Sequence, residues 1–279
     1  MKYSISNWIY GDENIEKTME RLAKFHYDGI EIKGEPALYN TKRINELLQS
    51  YNLGVSSIAG IYPWPTTERD LANPDDKVRR NSINYVKSCI DFAVEIGAPL
   101  VIVVPSSVGK IKPLSTFENE WKLAIKSLRE LGGYAADRNI LIAVEPINRY
   151  ETFLLNNAEQ GLRFIDEVNV DSVKLMLDCF HMNIEERDPA TSIRRVGDKL
   201  IHLHVADSNR QAPGRGHIDF RSILKALREI GYDRYLALEP LPPIPNPYEA
   251  LKGFRSEEFA DMCAEESINY LKRILKDER

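Results

Sequence analysis

Eight short runs of apolar or β-branched residues recur along this chain, each followed by a segment with helical periodicity. The runs are YSISN (3 to 7), GIEIK (29 to 33), GVSSIAG (54 to 60), PLVIVVP (99 to 105), LIAVEPI (141 to 147), VKLMLD (173 to 178), LIHLHVAD (200 to 207) and YLALEP (235 to 240). Strict alternation of β and α predicts a parallel sheet, and eight such units in 279 residues predict a closed (β/α)8 barrel that spans 1–279 as one α/β domain. An open doubly wound sheet is disfavoured because no Gly-rich GxGxxG turn follows the first run. Helix starts and stops punctuate the pattern. Asn73 reads as an N-cap with Pro74 in the first helical position, Ser115 and Glu118 as a capping box, and Asp188 as the cap before Pro189. Gly97 and Gly231 read as C-terminal stops. In the third helix Val78, Ser82, Val86, Cys89, Ile90 and Ala93 share a face that can pack on the sheet.

Composition excludes several classes of partner. A net charge of −5 gives no basic footprint for a polyanion, so neither nucleic acid nor an anionic membrane is expected as a partner. The start, MKYSISNWIYGDENIEK, lacks a basic segment leading into an apolar one, and no apolar stretch approaches a spanning length, so a cytoplasmic protein is expected. Cys89, Cys179 and Cys263 are odd in number and widely spaced, which suits reduced packing thiols rather than a disulfide framework or a CxxC site. The stretch PLPPIPNP (240 to 247) is expected to form a stiff loop over the C-terminal face of the barrel.

Reactive groups in such a barrel sit at the C-terminal strand ends. There, on runs five to eight, the sequence places Glu145, Asp178, His204 and Glu239. Four ionisable groups facing one another across the barrel mouth are costly unless something compensates them, and a cation does so. Three carboxylates and one imidazole make an oxygen-rich donor set that suits Mn2+, with Mg2+ or Co2+ as alternatives, better than a thiolate-rich structural Zn2+ site. Two residues back, Ala143, Met176, His202 and Ala237 should point into the barrel with them. His202 is the polar exception and is expected to hydrogen-bond a ligand carboxylate. Glu31, near the end of the second run, is expected either to line the pocket or to pair with a neighbouring Lys.

The stretches EPINRYE (145 to 151), LDCFHMNIEE (177 to 186), HVADSNRQAPGRG (204 to 216) and ALEP (237 to 240) resemble the signatures of the D-tagatose and D-psicose 3-epimerases, within the xylose isomerase-like TIM barrel superfamily. The resemblance covers the whole barrel and is sharp from Leu141 to Pro240. It places the family's four metal ligands on Glu145, Asp178, His204 and Glu239. It implies Glu145 and Glu239 as the catalytic acid and base, and substrate contacts from Glu151, His181 and Arg210. Two departures from the family pattern stand near the site: Cys179 in place of Thr, and Ala206 with Asp207 in place of a Gly-Glu pair.

The expected reaction is inversion of C3 of a free ketose or related keto-sugar through a metal-stabilised cis-enediolate, with two carboxylates serving opposite faces. Trp8, Tyr62 and Trp64 are expected either to line the pocket against the sugar's carbon side or to form a core lid. His26 and His217 read as surface or packing residues, and Arg210 or Arg215 is available for the carboxylate of a hexuronate or keto-acid sugar. An aldose-ketose isomerase or an inosose-type dehydratase would share this scaffold. From other classes, a zinc-dependent apurinic endonuclease would need more histidines than five, and a non-catalytic sugar-binding barrel would not need both carboxylates on the metal. A homodimer or homotetramer is implied by analogy.

Overall fold

In a computed structural model, residues 1–243 and 257–276 are described. The eight strands are β1 (Lys2–Ser6), β2 (Gly29–Lys33), β3 (Gly54–Ala59), β4 (Leu100–Val103), β5 (Leu141–Val144), β6 (Val173–Asp178), β7 (Leu200–Val205) and β8 (Tyr235–Leu238). They form a closed barrel in chain order, and β8 pairs back onto β1 in parallel, with Tyr3 opposite Leu236. Each predicted run contains a strand. In runs four, five and eight the strand ends two residues before Pro105, Pro146 and Pro240, whose nitrogens have no hydrogen to donate to the ladder.

Around the barrel lie α1 (Ile15–Lys24), α2 (Thr41–Tyr51), α3 (Asp76–Ile96), α4 (Phe117–Ala136), α5 (Ala158–Val168), α6 (Cys179–Glu185), α7 (Pro189–Val196), α8 (Phe220–Glu229) and α9 (Glu257–Lys276). Asp188 caps α7 as expected, accepting from the amides of Ala190 and Thr191. Two other caps are displaced. The cap of α3 is Asp75, which accepts from Lys77 N, whereas Asn73 folds back to accept from Asp75 N. The cap of α4 is Thr116, and the carboxylate that reaches back is Glu120, not Glu118; it accepts from Ser115 N at 2.7 Å. Gly97 ends α3 in the left-handed region at φ 72°, where a side chain would be strained.

The period-2 alternation of the strands divides the apolar residues into two layers. Ile142 and Val144, Leu175 and Leu177, Leu203 and Val205, and Leu236 and Leu238 point outward into the large core beneath the helices. Inside the barrel, Ala59, Leu100, Ile102, Ala143, Met176 and Ile201 make a smaller apolar cluster. Apart from Ala237 of β8, the rest of the interior is polar: Ser4 and Ser6 of β1, Glu31 of β2, Ser57 of β3, and His202 and His204 of β7 are all buried. The polar half of the barrel floor thus lies opposite an apolar half.

Cys89, Cys179 and Cys263 are buried and none is in a disulfide, in keeping with packing thiols. No helix among the described residues is long and apolar enough to cross a membrane. Positions 244 to 247 of the Pro-rich stretch lie outside the described residues.

Candidate active site and metal centre

The four ionisable residues expected at the strand ends are brought together, with a refinement in register. Asp178 closes β6 and His204 is next to last in β7, while Glu145 and Glu239 are the first residues beyond β5 and β8. Their amides still donate across the barrel, Glu145 N to Val103 O at 3.0 Å and Glu239 N to Val205 O at 3.1 Å, so the ladder fixes where both side chains emerge. Donor atoms of Glu145, Asp178 and His204 all lie within 4.8 Å of one another. Glu239 joins them through His204, whose Nδ1 is 3.1 Å from Glu239 Oε2 and 3.7 Å from Glu145 Oε1. All four side chains are buried.

Burial and mutual charge shift Glu145, Asp178 and His204 in different directions. Burial, reinforced by the charges of Asp178 and Glu239 against the pull of His204 and Arg210, pushes the Glu145 carboxyl up to about 8. Burial also raises Asp178, but the Arg210 guanidinium, His181 and His204 outweigh it and hold the group below its usual range. For His204, burial favours the neutral ring, yet the carboxylates of Glu239 and Glu31 carry it well above the ordinary imidazole value.

Beneath His204, the other ring nitrogen is held from the barrel interior. Nε2 lies 3.1 Å from Glu31 Oε2, and the same oxygen lies 2.9 Å from His202 Nε2 and accepts from Ser57 Oγ at 2.6 Å. This corrects two expectations: Glu31 pairs with histidines and a serine rather than a Lys, and the partner of His202 is Glu31, not one of the four mouth carboxylates. A buried interior position leaves no room for a solvated Lys head group. With Nε2 facing Glu31, Nδ1 is the nitrogen left to face the mouth carboxylates and, once deprotonated, to offer a lone pair to a cation among them. Nδ1 is indeed buried without a hydrogen-bond partner. An orphaned imidazole nitrogen amid three crowded carboxylates fits a divalent cation, and the donor set of three oxygens and one nitrogen suits an oxygen-preferring ion. Glu31, His202 and His204 form a second close group. Their facing atoms are already used in the hydrogen bonds to Glu31.

Above this floor opens a cleft of about 650 Å³, lined among others by Glu145, Glu151, His181, His204, Arg210 and Glu239. Trp8, Tyr62 and Trp64 line it too. The Trp8 indole nitrogen donates to Glu239 Oε1. Arg210 bridges two of the four carboxylates, with Nη1 3.0 Å from Asp178 and Nη2 3.2 Å from Glu239. Its guanidinium sits 4.7 Å from the centroid of Phe180. His181 Nε2 faces Arg210 at 3.4 Å, and its Nδ1 lies 2.8 Å from Asn148 Nδ2. Asn148 also donates to Glu151 Oε1 at 2.9 Å, so one amide aligns two of the residues expected to meet substrate. Sequence reasoning did not single out Asn148. The signal available was its position inside EPINRYE, three residues before Glu151.

The residues that depart from the family pattern are not among those lining the cleft. Asp207 accepts from the amides of Ser208, Gly214 and Ile218, which folds the loop that carries Arg210. Cys179 is buried at the start of α6. Arg215 is bound to Glu266 at 2.6 Å and does not line the cleft. His26 and His217 are exposed.

Residues 19–257 match the family model described as xylose isomerase-like TIM barrel. The chain is 33% identical over 226 residues to D-psicose 3-epimerase of Ruminiclostridium cellulolyticum, covering 80% of this chain and 76% of that protein. It is 33% identical over 218 residues to L-ribulose 3-epimerase of Methylomonas sp., covering 77% and 74%. Among solved structures, D-psicose 3-epimerase with D-tagatose from Clostridium cellulolyticum H10 superimposes with a TM-score of 0.87 at 28% identity, over 99% of each chain. The barrel, the cleft and these likenesses together show that the chain belongs to the xylose isomerase-like TIM barrel family, among its ketose 3-epimerases.

Proposed function

We propose that this protein inverts C3 of a free ketose, with Glu145 and Glu239 as the proton-carrying pair. One observation carries the reading: the two carboxylates rise from β5 and β8 into one cleft and approach the same His204 nitrogen, at 3.7 and 3.1 Å. Epimerisation removes a proton from one face of a carbon and delivers one to the other, so it needs two positioned groups. Glu145, Asp178, His204 and Glu239 would hold a divalent cation, which would supply Lewis acidity toward the negative charge that forms as the proton leaves.

The chain's own residues do the rest. One of the two glutamates takes the C3 proton while the other, on the opposite face, delivers one. Arg210 and His181 donate to sugar oxygens, and Glu151, held by Asn148, accepts from a hydroxyl at the O1 and O2 end. Trp8, Tyr62 and Trp64 cover the carbon side and keep water from the exposed faces. Among the described residues lining the cleft there is no Lys and Arg210 is the one Arg, and it is already bonded to Asp178 and Glu239, which favours an uncharged sugar over a phosphorylated one.

The same reading takes Mn2+ as the cation, supported by the oxygen-rich donor set. It takes a cytoplasmic setting, supported by three buried cysteines of which none is in a disulfide. It also takes a homodimer or homotetramer, supported by exposed apolar side chains at Ile111, Leu114 and Tyr150. The deciding experiment is turnover of free ketoses in deuterated water with the products separated and mapped. Deuterium at C3 of the epimer and none at C1 is expected. Label at C1 with an aldose product would make the protein an aldose-ketose isomerase, and loss of water would make it a dehydratase.

A further inference from the structure

The proposed chemistry leaves one buried ionic cluster unused. Lys110 is 1% exposed, and its Nζ lies 2.6 Å from Asp70 Oδ2 and 2.6 Å from Glu120 Oε2, both on fully buried side chains. Asp70 belongs to the loop between β3 and α3, Lys110 to the loop between β4 and α4, and Glu120 to the first turn of α4. Their other lone pairs are also used: Asp70 accepts from Ala72 N and Asn73 Nδ2, and Glu120 from Ser115 N. Burying three charges is expensive, and such clusters add little stability over an apolar replacement of similar volume. What a satisfied cluster does provide is a single permitted geometry.

That geometry is transmitted to the cleft. Val108 N donates to Tyr62 O at 2.6 Å and Trp64 N to Val108 O at 3.0 Å, while Gly109 N donates to Glu151 O at 2.6 Å and Phe153 N to Lys110 O at 3.1 Å. The loop after β4 is therefore the middle of three segments, paired in parallel at Pro63 with Val108 and at Lys110 with Thr152. The rings of Trp64 and Phe153 roof the ammonium, with centroids at 5.7 and 5.4 Å. Tyr62, Trp64, Val108, Gly109 and Glu151 all line the cleft.

We propose that Lys110, clamped by Asp70 and Glu120, is a positioning residue that locks the loops after β3, β4 and β5 into one wall and thereby sets where Trp64 and Glu151 meet the substrate. The proposal rests on the reading of this cleft as a sugar site. Lys110→Met alone leaves two carboxylates buried face to face and endangers folding. The test is therefore the charge-free triple variant Lys110→Met, Asp70→Asn, Glu120→Gln, as metal-loaded full-length protein beside wild type.

Amide hydrogen exchange at Val108, Gly109 and Phe153 should accelerate by about tenfold or more while β5 and β8 keep their protection. Mn2+ affinity should stay unchanged, and KM for a ketose that wild type turns over should rise about tenfold with kcat altered less than about threefold. Unchanged exchange at those amides would overturn the clamp, whatever the substrate. Faster exchange with an unchanged KM would overturn the positioning role. If wild type turns over no ketose, the functional reading fails instead, and the exchange result alone still decides the clamp.

Discussion

Glu145 and Glu239 differ from the other residues of the floor in what they are asked to do. A Glu→Gln change keeps shape and one oxygen donor but removes the group that accepts a proton. Glu145→Gln and Glu239→Gln should each lower kcat by about 10² to 10⁴. Either single variant should still exchange the C3 hydrogen of one epimer with solvent, since one face retains its base; wild-type interconversion by the double variant would remove the pair from the mechanism. Asp178 and His204 offer a contrasting test, because each is placed to hold a cation. Asp178→Ala and His204→Ala should lose bound metal, measured as ions per chain. Arg210→Ala should not, since the guanidinium competes with the cation for Asp178 and Glu239 at 3.0 and 3.2 Å. It should retain about one ion per chain and lose turnover; a metal-free Arg210→Ala protein would show that Arg210 supports the metal site itself.

At the scale of elements, the ring of helices closes where α9 meets α1. Arg21 of α1 is nearly fully buried and is held by Glu13 and by Asp261 of α9, the latter at 2.6 Å; Lys24 reaches Asp261 at 2.7 Å. Burial raises the carboxyls of Glu13 and Asp261, but hydrogen bonds from Arg21 to both, from Thr18 to Glu13 and from Lys24 to Asp261 outweigh it, so both pKa values are depressed in the folded state. A depressed carboxyl stabilises the fold above its unfolded pKa, about 4, and that contribution is lost as pH falls through the folded value. Asp261→Asn should therefore melt below wild type at neutral pH, and the two melting curves should converge toward pH 3. Parallel melting temperatures across that range would show that the pair does not couple α9 docking to pH. The loop of residues 207 to 218 illustrates another element-level device: one buried carboxylate, Asp207, ties three amides and so fixes the loop bearing Arg210.

For the whole molecule, the four mouth residues stand at the ends of β5, β6, β7 and β8, so a cation bound among them would join four of the barrel's eight strands. Binding to the folded state alone stabilises it by about 2.7 kcal/mol at a hundredfold excess over Kd. Chelation should lower the melting temperature together with activity, and Mn2+ or Co2+ should restore both better than Ca2+ does. Full activity in a demonstrably metal-free protein would end the cation model.

The eightfold alternation and the identities of Glu145, Asp178, His204 and Glu239 were legible in the sequence because a barrel's geometry is periodic: strand ends are read from local runs, and the runs from side-chain alternation. Local chemistry likewise gave Asp188 as a cap, though Asn73 and Ser115 yielded that role to Asp75 and Thr116, two residues and one residue further on. What no local pattern contained was pairing across the barrel. Glu31 meets His204 over 173 positions of chain, and Lys110 meets Asp70 over 40. An isolated Glu or Lys reads as a solvated surface group in any sequence window. Only closure of the sheet removes the water and decides which distant partner must replace it.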